Sequence, residues 1–159
     1  MGTCNVLIDR VFNIFSGQGG LNDRLAAMPL ISPLSPIGSI LKLSAPMDAY
    51  EKSASVRYPV ATIYCERLKN TLMEKYRPLS GTALLVIEIR VSGARPEELD
   101  AQLNSYVEAA CQVLEANRGS WTEIATYPGA YEVKFQAMKP GGKQFTKAAH
   151  IEFELYISR

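Results

Sequence analysis

Cysteine, histidine and acidic residues are the side chains of this chain whose types could support catalysis or metal binding. Cys4, Cys65 and Cys111 are widely separated, and the single histidine is His150. Zinc sites and redox-active pairs use Cys and His ligands at short spacings, and the sequence has no such spacing. We therefore expect three reduced cysteines, no metal and no cofactor.

Several charged residues of the C-terminal half fall in strand-like sequence: Glu88, Arg90, Lys134, Glu152 and Glu154. The acidic ones are candidates for paired catalytic carboxylates, but a solvated sheet face shared by all five is the favoured interpretation. His150 lacks a Ser, Cys or acidic partner at a motif spacing and is interpreted as an exposed strand position. Phosphate-binding, nucleophile-elbow and zinc-protease motifs are also missing, so we predict no catalytic residues and no enzyme.

Composition narrows the class of protein further. Seventeen basic and sixteen acidic residues give a formal net charge of +1, whereas a dedicated DNA-binding domain needs a basic excess to neutralise phosphates. Asp9 and Arg10 interrupt the first apolar stretch, and no run is long enough to span a membrane. We expect a soluble cytoplasmic protein with no membrane partner. Its 159 residues suit a single domain over 1–159.

The N-terminal part of that domain divides into a helical region, 1–27, and a proline-rich segment, 28–55. Apolar residues at helical spacing predict a helix over 5–15, and 21–27 could add another turn. Four prolines in 28–55 oppose regular structure, so this segment is predicted to be an extended arm. The arm is too apolar for a solvated linker, and the surface beneath it could belong to a neighbouring subunit or to its own domain.

The sheet-and-helix core is predicted over 56–159. Residues 58–64 favour a strand, and a charged tract over 66–77 leads to a second strand over 82–91, which indicates a long hairpin with a polar, protruding end. A helix over 66–76 is the alternative, because Leu68, Leu72 and Tyr76 also fall at helical spacing.

The rest of the core is predicted as a helix followed by strands. Pro96 opens an amphipathic helix over 96–116, and residues 121–126 could form a short strand. Residues 131–137 and 149–158 alternate apolar and polar side chains, which predicts a hairpin with one apolar face. The fold class is therefore α+β, with a mainly antiparallel sheet of about four strands, helices packed on one face, and an extended arm.

Three segments carry the candidate subunit or partner contacts. They are Lys139, Gly141, Gly142, Lys143, Phe145 and Lys147 in the basic loop, Lys69, Lys75 and Arg77 in the polar hairpin end, and Leu34 and Ile37 in the arm. The basic loop could be the solubilising turn of a β-hairpin, or a flexible finger that reaches a partner subunit or nucleic acid. An aromatic residue inside a polar loop mildly favours the finger.

The order of these segments resembles the tail-terminator, or tail-completion, proteins of long-tailed bacteriophages. The resemblance covers about residues 58–158 and depends on the following stretches: YPVATIY at 58–64, ALLVIEIRV at 83–91, PEELDA at 96–101, GAYE at 129–132, and the closing strand at 148–157. None of these stretches is diagnostic alone, and the succession as a whole carries the likeness.

The resemblance implies a structural protein of the virion neck, assembled in the host cytoplasm. It would form a homo-oligomeric ring, expected to be a hexamer, that caps the tail tube and docks the head-completion proteins. DNA would pass through its central channel without sequence-specific binding. Two alternatives stay open: another connector or neck-ring protein, and a small α/β enzyme or ligand-binding module that uses the polar sheet face.

Overall fold

The computed structural model describes residues 2–30, 32–43, 46–52, 55–71, 73 and 75–159. Within these ranges the helices are α1 (Thr3–Ser16), α2 (Leu21–Ala27), α3 (Met47–Glu51) and α4 (Pro96–Ala116). The strands are β1 (Ser39–Lys42), β2 (Val60–Asn70), β3 (Ser80–Gly93), β4 (Gly119–Thr122), β5 (Ala125–Tyr127), β6 (Tyr131–Phe135), β7 (Lys139–Gly141) and β8 (Gln144–Ser158).

The described strands form one sheet with the two longest strands, β3 and β8, side by side. The order is β1-β2-β3-β8-β5-β4, and the outer edge of β8 is shared by β5, β6 and β7. Only the β1–β2 pairing is parallel among these strands. The predicted mixed α+β fold is confirmed, although the sheet has eight strands instead of about four.

The main core lies between one face of the sheet and the helices α1, α2 and α4. Alternation along β3 and β8 turns side chains such as Ile87 and Phe153 toward the helices. Leu103 belongs to the buried stripe of α4, and Phe15 to that of α1. Helix α4 has the predicted bounds, because Pro96 suits a first helical position and the acidic first turn complements the helix dipole.

The opposite face of the sheet is also covered in part. Helix α3 lies over it, since the Met47 amide donates a hydrogen bond to the Glu88 carboxylate at 3.2 Å. Glu88 and Arg90 are only 1% and 7% exposed there, and Met47 is fully buried. The predicted solvated face is therefore wrong at Glu88 and Arg90, and helices do not pack on one face alone.

The proline-rich segment 28–55 contains regular structure that its composition did not predict. Residues 37–45 lack proline, and Ser39–Lys42 use that interval to pair with β2. The Asn22 side chain accepts a hydrogen bond from the Ile37 amide at 2.8 Å and donates one to the Ile37 carbonyl at 2.9 Å. The Tyr106 hydroxyl donates to the Ser35 carbonyl at 2.6 Å. Between residues 35 and 51, the described part of the segment thus packs against its own chain. Ile31, one of the apolar residues of the predicted arm, lies outside the described residues.

The other secondary-structure elements predicted from the sequence differ from the observed ones mainly in where they begin and end. The strand interpretation of residues 66–70 is confirmed against the helical one, whereas the described residues among 71–77 are not in a strand. Leu72, which entered that argument, and Glu74 of the charged tract lie outside the described residues. The single short strand predicted over 121–126 is instead the two-stranded pair β4 and β5.

Candidate functional site

The far end of the β2–β3 hairpin comprises the last five residues of β2, 66–70, and the connection 71–79, and we call it the hairpin tip. Its described residues are exposed except for the half-buried Leu79. Two large side chains at its far end, Met73 and Tyr76, are 83% and 88% exposed, and Leu68 is 40% exposed. Lys69 and Lys75 of the tip are also exposed, and Lys75 Nζ lies 5.7 Å from the centroid of the Tyr76 ring. The tip therefore presents apolar surface flanked by positive charge.

The base of the hairpin tip is held by specific contacts. The Asn70 side chain accepts a hydrogen bond from the Ser80 amide at 3.1 Å, and the Thr71 amide donates to the Ser80 carbonyl at 2.9 Å. Gly81 is required here, because a Cβ at this position would overlap the Lys69 carbonyl oxygen. Arg77, a predicted contact residue, donates a hydrogen bond to the Ser158 hydroxyl. The tip is thus anchored to the end of the sheet.

The predicted basic loop is a tight hairpin formed by β7 and the start of β8. Its turn is at Gly142-Lys143, where Gly142 has a φ of 70°, a conformation that favours glycine. Phe145 is half-buried and packs against the main core. Lys147 forms an ion pair with Asp100 of α4, and Lys139 Nζ lies 3.8 Å from the Asp48 carboxylate. Gly141 and Lys143 are exposed. Phe145 and Lys147 therefore contact this chain's own residues.

The two candidate residues of the proline-rich segment have different environments. Ile37 is 3% exposed and belongs to the main core. Leu34 is half-buried and borders a depression of about 600 Å³ between the segment and α4, which we call the α4 groove. It is lined by Pro29, Leu30, Leu34, Glu98, Ala101 and Gln102, among others. Leu34 thus contributes to the α4 groove, and Ile37 does not.

The charged side chains of helix α4 are all negative. It contains five acidic residues and no basic residue: Glu97, Glu98, Asp100, Glu108 and Glu115. All five are exposed. Asp100 pairs with Lys147, and Glu98 pairs with Arg95 at 2.9 Å. The remaining acids leave the outer surface of α4 negative.

A buried charge cluster under α3 was not predicted. It consists of Glu88 and Arg90, which are buried, and of the α3 residues Glu51 and Asp48, whose side chains are 23% and 61% exposed; we name it after the buried Glu88–Arg90 pair. The Arg90 guanidinium donates to Glu88, through Nε at 3.1 Å, to Asp48 at 3.0 Å, and to Glu51. His150 Nε2 lies 3.6 Å from the Glu88 carboxylate. The Arg90 guanidinium on β3 thus binds both carboxylates of α3 and connects that helix to the sheet.

The electrostatics of this cluster favour the charged forms. Burial alone would raise the pKa of Glu88, but hydrogen bonding with His150 and the positive charge of Arg90 outweigh burial and lower the pKa. Burial alone would lower the pKa of Arg90, and its acidic neighbours raise it instead. Burial and a hydrogen bond to Glu51 raise the pKa of Tyr58 to about 12. The cluster is a mutually satisfied ion-pair network, which is suited to fixing α3 in place.

Sequence reasoning missed this cluster because its cover is a five-residue helix inside the proline-rich segment. A helix that short has no measurable apolar periodicity. The available signal was Pro46 followed by Asp48, since proline is favoured near a helix start and an acidic residue in the first turn.

Among the other titratable candidates, two of the three cysteines meet in the fold. Cys4 and Cys65, distant in sequence, come into hydrogen-bond contact, and burial followed by that contact raises the pKa of the Cys65 thiol to about 12. A thiol that stays protonated is a poor nucleophile. Across the described ranges, His, Cys, Asp and Glu residues form no group that could hold a metal ion. In the same part of the chain, no helix combines the length and apolarity needed to cross a membrane.

No protein-family model matches this chain, and no curated protein matches its sequence.

Proposed function

We propose that this chain is a tail-terminator protein of a long-tailed bacteriophage. It would be one subunit of a ring in the virion neck that caps the tail tube and joins it to the head-completion proteins. The single observation that carries the proposal is the hairpin tip, which exposes Met73 and Tyr76 on an anchored projection. Large apolar side chains in such a position are typical of a protein contact.

The scaffold supports the same role. The segments that carry the family resemblance correspond to the neighbouring strands β2, β3 and β8, the strand β6 on the outer edge of β8, and the long helix α4. The two long central strands pair over fourteen residues, so the sheet is a rigid base for a projecting contact. A ring subunit needs such a base and a projection that reaches its neighbour.

The distribution of charge also suits a DNA channel. The net charge of +1 supplies little general attraction for phosphates. Strong attraction to the DNA backbone would oppose its passage, because phosphate contacts supply most non-specific affinity. A near-neutral subunit can surround DNA without holding it.

The buried charge cluster favours this proposal over a ligand-binding module on the polar sheet face. Glu88 and Arg90 are the charged groups on which such a module would depend, and they are engaged with each other and with α3. The exposed Lys134 nearby is engaged as well, because its Nζ pairs with the half-buried Glu152 carboxylate at 2.6 Å.

Electron microscopy of the purified chain, alone and mixed with phage tail tubes, tests the proposal. We expect rings of about six subunits with a central opening, or caps on tube ends if assembly requires the tube. Compact monomers that neither form rings nor bind tube ends would contradict it.

A further inference from the structure

The hairpin tip is a projection with exposed apolar side chains, and the α4 groove is a partly apolar recess. The tip projects two exposed apolar side chains, Met73 and Tyr76. The groove is a recess of about 600 Å³, and its lining includes the apolar residues Leu30, Leu34 and Ala101. Recesses of roughly 300–1,000 Å³ can enclose several side chains or a small ligand. A projection of this kind can fill a recess of this kind.

Their charges are also complementary. Lys69 and Lys75 are exposed on the tip. Glu98 lines the groove and pairs with Arg95, Asp100 pairs with Lys147, and Glu97 leaves this end of α4 with one more acidic than basic group. Opposite charges at the rim of a contact speed association and fix its orientation. Like charges on the two surfaces would instead keep them apart.

The two surfaces lie at opposite ends of the same strand. The tip joins the start of β3 at Ser80, while the groove lies beside the N-terminal half of α4, which follows the end of β3 at Gly93. A neighbouring recess confirms this location, since it is lined by Val91 and Ser92 together with Leu34 and Gln102. Fourteen strand residues at about 3.3 Å each span roughly 45 Å, so one chain's tip cannot reach its own groove.

We infer that the hairpin tip of one copy of this chain docks in the α4 groove of the next copy. Met73 and Tyr76 enter the recess, and Lys75 lies toward Glu98. The inference deepens the proposed function and rests on it, because it assigns the subunit contact of the ring. A contact between two different surfaces propagates head to tail and closes into a ring when the rotation permits.

A mixing experiment tests the assignment with two variants. The tip variant combines Met73→Ser with Tyr76→Ser, and the groove variant is Ala101→Arg. All three positions are exposed, so both variants are expected to fold, which thermal unfolding checks. Each variant alone should be monomeric. A mixture should give a 1:1 complex with twice the mass of the 17.5 kDa chain, because each variant retains the half of the contact that the other lacks.

Charge exchange provides a second, independent measurement. Lys75→Glu and Glu98→Lys should each weaken association at least tenfold, and the two changes in one chain should restore it. Two matched controls should assemble like the wild-type chain. Phe135→Ser removes an aromatic side chain that is 50% exposed outside the tip, and Glu108→Lys reverses a charge on α4 outside the groove.

The outcomes separate this inference from the proposed function. If the groove variant forms rings like the wild-type chain, or if the mixture gives no complex, the tip docks elsewhere. That result overturns the inference but not the proposal that the chain forms a ring. If the wild-type chain associates neither alone nor on tail tubes, both are overturned. Loss of assembly in the Phe135→Ser control would also contradict the assignment.

Discussion

The buried charge cluster and the hairpin tip use charged residues for opposite purposes. Under α3, Arg90 is surrounded by three carboxylates and excluded from solvent, so its charge is tied to the fold. At the tip, Lys69 and Lys75 stand in solvent beside exposed apolar side chains. Removal of the first kind of charge should damage folding, whereas removal of the second should leave the monomer intact. Position relative to solvent therefore distinguishes a structural charge from one available for assembly.

The largest expected effect is on stability at the cluster. Arg90→Leu leaves the Glu88 carboxylate buried without its cation, and we expect a loss of about 3–5 kcal/mol in the free energy of unfolding. Arg67→Leu is the matched control, because Arg67 and Glu154 form an exposed pair with side chains 48% and 44% exposed. Its expected cost is about 0–1 kcal/mol. Denaturant unfolding of both variants measures the comparison, and equal losses would contradict it.

The Glu88→Gln variant should lose less stability than Arg90→Leu, and its loss should depend on pH. The pKa of Glu88 is lowered from 4.5, so its ionised form contributes stability that is fully present above pH 4.5 and is lost as pH falls through the lower folded value. Glu88→Gln should cost about 1–3 kcal/mol at neutral pH, since a buried charged partner is replaced. The difference between wild type and variant should shrink in acid. Unfolding curves over a pH series check this, and a difference independent of pH would count against an ionised Glu88.

Ionic strength should affect the hairpin tip and the buried charge cluster differently. Exposed charges are screened as ionic strength rises, with a Debye length of about 10 Å at 0.1 M and 3 Å at 1 M. We expect association of the chain to weaken by roughly 1 kcal/mol over that range, while the contribution of the buried cluster to folding changes little. Sedimentation at several salt concentrations, paired with unfolding of the monomeric tip variant, measures both. Association that strengthens with salt would indicate a contact without complementary charges.

The smallest effect on stability is expected at the tip itself. Tyr76→Ser alters a side chain that is 88% exposed, so the unfolding free energy should stay within about 0.5 kcal/mol of wild type. Ring formation should nevertheless be lost. Unfolding and particle mass are measured on the same sample, and a large loss of stability would place Tyr76 in the fold instead of in a contact.

The parts of the fold predicted from sequence are those with long periodic patterns. The twenty-one-residue α4 and the strand pair β2–β3 carry enough repeats to identify their type and faces. The strands β1, β4, β5 and β7 have three or four residues each, too few for alternation to register, so the sheet was predicted too small.

The candidate site was predictable only in part for a related reason. Exposure of Lys69 and Lys75 follows from their charged surroundings, and the tip was predicted to protrude. The burial of Glu88 and Arg90 could not be predicted, because alternation assigns a residue to a face but does not reveal what covers it. Phe145 illustrates the same limit: its polar neighbours in sequence suggested a free loop, whereas its position beside Gly93 on the sheet brings it against the core.

The central claim is that the chain assembles into rings through its tip, and the molar mass in solution tests it most directly. Light scattering across a dilution series should give a mass near six times 17.5 kDa for the wild-type chain, and the monomer mass for Tyr76→Ser at the same concentrations. The same oligomer from both proteins would contradict the claim.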